Sequence, residues 1–552
     1  VLELAAAADA IARSTVRGER GVDARENACA LCYARSEMTV LNRRRYRALG
    51  ALLAALSAVL VFAHCSKKDV PAPPNVLLIS IDMLRPDHLS CYGYAKTTSP
   101  NIDRMAAEGV LFENHISSSS WTLPAHAAMF TSLPDSLHGC TDTDKRLCER
   151  AVTLAQRFAS SGYATAGFFS GPYLHPAFGL GRGFQTYVDC CSNKEELDSE
   201  PPSKWAMDED AMKKSHQDVT SPRVFAAVQG WLAKREEKPF FMFVHLWDTH
   251  FDFVPPPPYD KQFDPDYTGK ITGEGFFFNP AINAQMDKRD LDHILALYDG
   301  EIAWTDSFVG KIRDELSKAG LLENTVIAIT SDHGTEFFEH GDKGHRKTLF
   351  DEVIRIPLVL RYPAKLPRQM RVEEQSRMID LGPTLLALAG AQPPTDMMGE
   401  SLRDYVEKKP DVRHRRAVSE LQSVGRNMRA VRTLPWKFID DIGRDTFYYY
   451  DLKTDAGEQK RLHEPESEQC KKLQNGYLEE AKAMEDFIAH HADTCIGESS
   501  ASSPPADVMR QLRQNGYVGA GEDALQPSSG DASKPADKAP EKAPAKPEDK
   551  PH

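Results

Sequence analysis

The sequence predicts an α/β/α sandwich around a mostly parallel central sheet, followed by a smaller C-terminal α+β subdomain. The apolar runs NVLLISID (75–82), PFFMFVHLWDTH (239–250) and NTVIAITSDHG (324–334) read as strands buried on both faces of a parallel sheet. Helix-like stretches, RVFAAVQGWLAKREE (223–237) and SFVGKIRDELSKAG (307–320), precede the second and third runs, and this alternation places helices on both faces. After residue 392 the pieces shorten. The aromatic, β-rich runs RAVRTLPWKFIDDI (429–442) and DTFYYYDL (445–452) come ahead of the helix-like LQNGYLEEAKAMEDFIAHH (473–491).

Taken from the N-terminus, residues 1–64 are expected to lie outside the fold. RRRYR (43–47), the apolar run ALGALLAALSAVLVFA (48–63) and then His64 and Cys65 have the parts of a secretory signal, with Met38 as a candidate start. Cys65 stands where bacterial lipoproteins carry their lipidated cysteine, although His64 occupies a place normally taken by a small residue. Lipidation of Cys65 and an uncleaved N-terminal anchor are the two readings of this segment. Both predict a periplasmic or cell-surface protein anchored to the membrane at its N-terminus. Residues 65–74 then form a Pro-rich linker, 75–392 the catalytic domain and 393–495 the C-terminal subdomain. Residues 496–552 form a tail, mostly disordered, because its Pro/Ala/Lys/Asp/Glu end has almost nothing to bury.

Composition excludes several classes. The chain has 552 residues, 67 Lys and Arg against 80 Asp and Glu, and a net charge of −13, so it lacks the basic footprint of a nucleic-acid binder. Ten cysteines are too few for a disulfide scaffold, and only Cys29 and Cys32 have the close spacing of half a zinc site. Cys140, Cys148, Cys190, Cys191, Cys470 and Cys495 are candidates for disulfides after export, with their pairing open.

In such sheets ligands gather beyond the carboxyl ends of the strands, which is where Asp82, Asp248, His250, Asp332 and His333 fall. Asp82 and the adjacent pair Asp332 and His333 offer oxygen and nitrogen ligands suited to a divalent cation such as Ca, Mg, Mn or Zn. In SSSSWTLPAHAAMFTS (117–132), Thr122 reads as a helix N-cap with Pro124 in the first turn. A hydroxyl there sits where the helix end favours a tetrahedral oxyanion, and contact with a metal would make it a nucleophile. His126, His250, His345 and Lys347 complete the candidate set.

The order of these pieces resembles the sulfatase family of the alkaline phosphatase superfamily. The resemblance runs through IDMLRPDHLSCYGYAKTTSPNIDRMAAEGVLFENH (81–115), TLPAHAAMFTS, PFFMFVHLWDTHFDFVPP, LYDGEIAWTDSFVGKI (297–312) and TVIAITSDHGTEFFEHGDKGHRKTLFDEVIRIPLVL (325–360). It implies an alkaline-phosphatase-like fold and a metal-dependent hydrolase of sulfate or phosphate esters. Carried over residue by residue, it implies Asp82, Asp332, His333 and Thr122 as metal ligands, Thr122 also as nucleophile, His250 at the substrate or leaving group, and His345 with Lys347 near the ester oxyanion. Asp248 and His126 are assigned to substrate binding, and Asp248, His250 and His345 are weighed as a ligand set for a second metal.

This sequence departs from the family pattern at three places. Met83 follows Asp82 where many sulfatases have a second acid, so one carboxylate is missing. Thr122 replaces the Cys or Ser that becomes formylglycine, so no formylglycine is expected. His126 replaces the usual Arg. Thr-x-Pro-x-His resembles nucleotide pyrophosphatase/phosphodiesterase relatives, and metal-bound Thr also serves phosphoethanolamine and phosphoglycerol transferases. The readings in competition are thus a sulfate- or phosphate-ester hydrolase, a phosphodiesterase or transferase, and an anchored binding protein on a retired scaffold. The expected substrate is a small-molecule, glycan or lipid-headgroup ester, with specificity in the insertions 190–222 and 255–290, where FFF at 276–278 is a candidate apolar or sugar-binding wall.

Overall fold

The structure, a computed structural model, describes residues 72–191, 218–409, 415–423, 425–462, 467–491 and 500–501. The expected signal, Cys65, most of the linker and nearly all of the tail lie outside the described residues. Among those described, no helix is long and apolar enough to cross a membrane.

Strands and helices alternate as β1 (Asn75–Ile81), α1 (Pro100–Ala107), β2 (Val110–Ile116), α2 (Thr122–Thr131), the two-residue β3 (Lys145–Arg146), α3 (Leu154–Ser160), β4 (Ala164–Phe169) and β5 (Thr186–Asp189). Next come α4 (Ser221–Lys234), β6 (Phe240–Leu246), α5 (Lys288–Lys318) and β7 (Thr325–Ser331), then the short hairpin β8 (Glu336–Phe337) and β9 (Lys343–Gly344). β10 (Arg355–Arg361), β11 (Met370–Arg377) and α6 (Leu381–Ala389) close the first part.

One eight-stranded sheet runs β11-β2-β10-β7-β1-β6-β4-β5. β7, β1, β6, β4 and β5 pair in parallel, as do β2 and β11, while β10 is antiparallel to both its neighbours. Every residue of β1, β6 and β7 is buried, which is why these three runs carry no polar alternation. Side chains of β1 alternate between two cores. Val76 and Leu78 pack with Leu123 and Phe130 of α2 and Leu381 and Leu385 of α6. Leu77, Ile79 and Ile81 pack with Met105 of α1, Val224 of α4 and Ile294, Tyr298 and Ile302 of α5. The three-layer expectation is met for this reason: a strand with two apolar faces demands cover on both.

β12 (Ala417–Ser423), β13 (Arg426–Thr433), β14 (Trp436–Asp441) and β15 (Thr446–Asp451) form an antiparallel meander, followed by α7 (Glu468–His490). The two-residue β16 (Ser500–Ala501) pairs with β3. The meander is pinned to the segment that leads into α2. Glu420 N–H donates to the Ser118 carbonyl at 2.8 Å, the Ser419 hydroxyl donates to the Ser117 carbonyl at 2.6 Å, and the Ser119 hydroxyl donates to the Glu420 carbonyl at 3.0 Å. Cys148 is disulfide-bonded, whereas Cys140, Cys190, Cys191 and Cys470 are free thiols, and Cys495 lies outside the described residues.

Candidate active site

Register explains where the site forms. Ile81 of β1 pairs with Leu246 of β6 on one side and Ser331 of β7 on the other, so the three strands end level. Asp82 and Asp332 therefore leave neighbouring strands side by side, and both are 0% exposed. Asp332 Oδ1 accepts from the N–H groups of His333 at 2.9 Å and Met83 at 3.3 Å. Asp332 Oδ2 and both Asp82 oxygens accept no hydrogen bond from the protein.

Burial and the neighbouring Asp332 push the Asp82 carboxyl well above its ordinary range. Burial acts to raise Asp332 too, but the group is held below its ordinary value, with the His333 backbone N–H donating to its Oδ1. Bare carboxylate oxygens facing one another in a dry interior need a positive charge between them. The donor set thus fits a divalent cation, with Asp82, Asp332 and His333 bringing three ligand atoms within 4.8 Å of one another.

His333 is wired for that task. Its Nδ1 lies 2.8 Å from the Gly334 carbonyl oxygen, which can only accept, so Nδ1 carries the proton. The lone pair on Nε2 then faces Asp332 Oδ2 at 3.3 Å and Asp82 Oδ1 at 3.7 Å. Gly334 is required here, because a Cβ would stand 2.1 Å from the Glu352 carbonyl oxygen.

Thr122 Oγ1 donates to His333 Nε2 at 3.3 Å, which places the hydroxyl at the edge of the carboxylate pair. The expectation of an N-cap is corrected. Thr122 is the first helical residue of α2, the cap position belongs to Trp121, and no side chain caps the helix. The Thr122 hydroxyl is consequently turned to the site instead of to the backbone of its own helix.

The other predicted residues divide. The His345 ring lies 4.4 Å from the His333 ring and 5.3 Å from the His250 ring. His250 Nδ1 donates to the Phe251 carbonyl at 2.9 Å, which fixes the orientation of the ring. Burial, with His333, His250, Arg346 and Lys347 around it, drives His345 well below its ordinary value and keeps it neutral. That disfavours His345 as the proton donor. Lys347 Nζ is 3.2 Å from Asp342 Oδ1 and 5.0 Å from the centre of the Phe277 ring.

His126 and Asp248 do not sit as expected for substrate contacts. His126 is 0% exposed beneath the site, with Nδ1 donating to the Thr122 carbonyl at 2.8 Å and Nε2 accepting from the Ser80 hydroxyl at 3.1 Å. Asp248 accepts from Thr220 N–H at 2.7 Å, from the Thr220 hydroxyl at 2.6 Å, from Ser221 N–H at 3.0 Å and from Trp304 Nε1 at 2.8 Å. It anchors the start of α4. Both oxygens are taken, so the ligand set Asp248, His250 and His345 does not assemble among the described residues. In FFF, Phe276 and Phe277 are core residues and only Phe278, 39% exposed, faces outward.

Two residues were not foreseen. His245, one strand position before Leu246, is 0% exposed with Nε2 3.5 Å from Asp82 Oδ2. It hides in an apolar run, and only the pairing of β6 with β1 shows that it borders Asp82. Arg346 lies between two predicted residues yet points away. Its N–H donates to the Ser120 carbonyl at 3.1 Å, its Nε donates to the Ser423 hydroxyl at 2.8 Å, and its guanidinium covers the Trp121 ring at 4.2 Å. Arg346 thereby ties the segment before Thr122 to the meander.

The chain is similar to known hydrolases. Residues 74–391 match the sulfatase family, and residues 339–484 match the C-terminal region of N-sulphoglucosamine sulphohydrolase. An N-acetylglucosamine-6-O-sulfatase of Bacteroides thetaiotaomicron is 23% identical over 490 residues, covering 73% of this chain and 86% of that protein. A multifunctional alkaline phosphatase superfamily protein of Trinickia caryophylli is 26% identical over 407 residues, covering 61% and 78%. Among solved structures, the phosphonate monoester hydrolase of Agrobacterium radiobacter superposes with a TM-score of 0.60 at 22% identity, covering 78% of this chain and all (100%) of that one. A protein in complex with its substrate D-glucosamine-2-N,6-O-disulfate also superposes with a TM-score of 0.60, at 21% identity, covering 75% and 98%.

Proposed function

The chain belongs to the sulfatase family, and from that premise we propose that it hydrolyses phosphate esters through a Thr122 nucleophile beside a cation held by Asp82, Asp332 and His333. The observation that carries this reading is the Thr122 hydroxyl, donated at 3.3 Å to the nitrogen that faces both buried carboxylates. A bound divalent cation neutralises the ester's anionic oxygens and lowers the pKa of a hydroxyl beside it. Thr122 Oγ1, its proton released to solvent, attacks phosphorus in line at the N-terminus of α2, and the bond to the leaving alkoxide breaks as the Oγ1–P bond forms; the positive helix end favours the reacting oxyanion. His250, protonated on both ring nitrogens before the step and oriented by the Nδ1–H donated to the Phe251 carbonyl, delivers its Nε2 proton to the departing alkoxide and is left neutral. His345 stays neutral and lines the pocket, and Lys347 places a positive charge near the leaving oxyanion. Water then cleaves the enzyme ester and releases Thr122.

Threonine favours phosphoryl over sulfuryl transfer in this reading. It cannot become the formylglycine hydrate that expels sulfate through a second hydroxyl, and water must cleave a plain ester instead. The second reading, a sulfate-ester hydrolase, is favoured by the many sulfatases among the relatives. The substrate class in either case is a small-molecule, glycan or lipid-headgroup ester. The basic and apolar segment 43–65 supports an exported, N-terminally anchored protein.

Turnover of an aryl sulfate, a phosphate monoester, a phosphonate monoester and a phosphate diester should be compared. Phosphorus substrates are expected to dominate, and cleavage of the sulfate alone would overturn the proposal. Thr122→Ala should lower kcat by a factor of about 10³ or more, with an unchanged melting curve. Substantial activity in that variant removes Thr122 from the mechanism.

A further inference from the structure

We propose that His245 is a direct ligand of the cation held by Asp82, Asp332 and His333, and that this second imidazole biases the site toward a borderline cation such as zinc over calcium. The inference rests on the cation reading above and concerns a residue outside the ligand set implied by the family resemblance.

Strand pairing places the ring. His245 of β6 is in register with Ser80 of β1, two residues before Asp82, and it is 0% exposed. Its Nδ1 lies 2.7 Å from the Ser170 carbonyl oxygen. A carbonyl only accepts, so Nδ1 carries the proton and Nε2 presents a lone pair. That Nε2 makes no hydrogen bond with the protein and faces Asp82 Oδ2 at 3.5 Å, an oxygen that also accepts no hydrogen bond from the protein. Two acceptors aimed at one another repel unless a positive charge lies between them.

His333 shows the same wiring on the other side of Asp82. Its Nδ1 donates to the Gly334 carbonyl and its Nε2 faces Asp82 Oδ1 at 3.7 Å. Asp82 is therefore flanked by two imidazoles, one at each oxygen, both held in the ligand tautomer by a backbone carbonyl. Ligands bound at about 2.1 Å to one ion stand about 3.0–3.4 Å apart at octahedral or tetrahedral angles, which the 3.5 Å separation approaches. His245 and Asp332 also bring ligand atoms within 4.8 Å of one another, together with His126. His126 is not the ligand of that trio, because both its ring nitrogens are engaged, one with the Thr122 carbonyl and one with the Ser80 hydroxyl.

Chemistry follows from the count. Met83 removes a carboxylate beside Asp82, and His245 restores a donor from the adjacent strand as nitrogen instead of oxygen. Carboxylate and hydroxyl sites suit calcium and magnesium, whereas added imidazoles shift preference toward zinc and its neighbours.

The test uses the full chain, stripped with a chelator and reloaded with zinc alone. X-ray absorption at the zinc edge should show two imidazole ligands per bound ion, a measurement that needs no variant. Bound zinc with a single imidazole overturns the assignment of His245 and leaves the cation site intact. Failure to bind any zinc, manganese, calcium or magnesium overturns both. His245→Gln should show one imidazole, bind zinc at least tenfold more weakly in chelator competition, and lose at least tenfold of its preference for zinc over calcium. A folded variant with unchanged affinity and preference also overturns the inference.

Discussion

At the Asp82 carboxylate, charge and burial oppose one another. Both oxygens are bare, the neighbouring Asp332 repels them, and burial drives the group toward its neutral form. Without a cation this residue destabilises the fold, and with one it becomes an anchor. Asp82→Asn is therefore expected to melt higher than the wild type in chelator, while losing the rise that a divalent cation gives the wild type. At a cation concentration of 100 times Kd that rise corresponds to about 2.7 kcal/mol. Thermal melts of both proteins with chelator and with manganese check this. A wild-type melt that is indifferent to every cation would contradict it. Asp332 differs from its neighbour because two backbone N–H groups donate to its Oδ1.

The elements meet this site through their ends. α4 begins where Asp248 receives the N–H groups of Thr220 and Ser221, and Trp304 of α5 donates to the same carboxylate. Asp248 thus joins two helices of one layer to the segment that carries His250. Asp248→Ala should cost about 1–3 kcal/mol, the range for exposing buried donors and losing a helix-start acceptor. Cation affinity should stay within twofold of the wild type. Urea unfolding and chelator competition measure the two quantities, and a large loss of cation affinity with intact stability would return Asp248 to the metal centre. Its acid-at-a-strand-end position was legible in the sequence, but its direction was not. Thr220, the partner that turns it away, lies 28 positions earlier.

For the whole molecule, the joint between the large sheet and the meander is built from buried ion pairs. Lys437, 0% exposed, reaches Asp351 at 2.9 Å and Glu458 at 2.8 Å, and Arg432 reaches Asp351 at 2.9 Å. Lys437→Met leaves two carboxylates facing each other in the joint and should cost about 3–5 kcal/mol in urea unfolding. A cost under about 1 kcal/mol would show that the joint does not depend on this cation. Acid also acts at two buried histidines. Burial lowers His115 and His138 from 6.5 to about 3, so between those values the unfolded chain binds protons that the folded chain refuses. Stability from these groups is present above pH 6.5, falls as pH drops, and is lost once pH passes about 3. His115→Gln should reduce the slope of unfolding free energy against pH by about 1.4 kcal/mol per unit in that window. An unchanged slope would mean that His115 is charged or exposed in the folded chain.

The sequence by itself determined the three central strands, the sandwich, and the candidate ligands Asp82, Asp332 and His333. Fully apolar strands demand cover on both faces, and the residues that end them fall at one edge whatever the rest of the chain does. It also determined that residue 122, the proposed nucleophile, is threonine, and no packing changes what a threonine hydroxyl can become. Tertiary structure alone decided which polar side chains turn toward that edge. His126 and Asp248 are withdrawn by hydrogen bonds to Ser80, Thr122, Thr220 and Trp304, and Arg346 is withdrawn by Ser120 and Ser423. His245 is brought in by the register of β6 against β1. Each of these outcomes depends on a partner far away in the chain or on a neighbouring strand, and hydrophobic periodicity carries no information about such pairings.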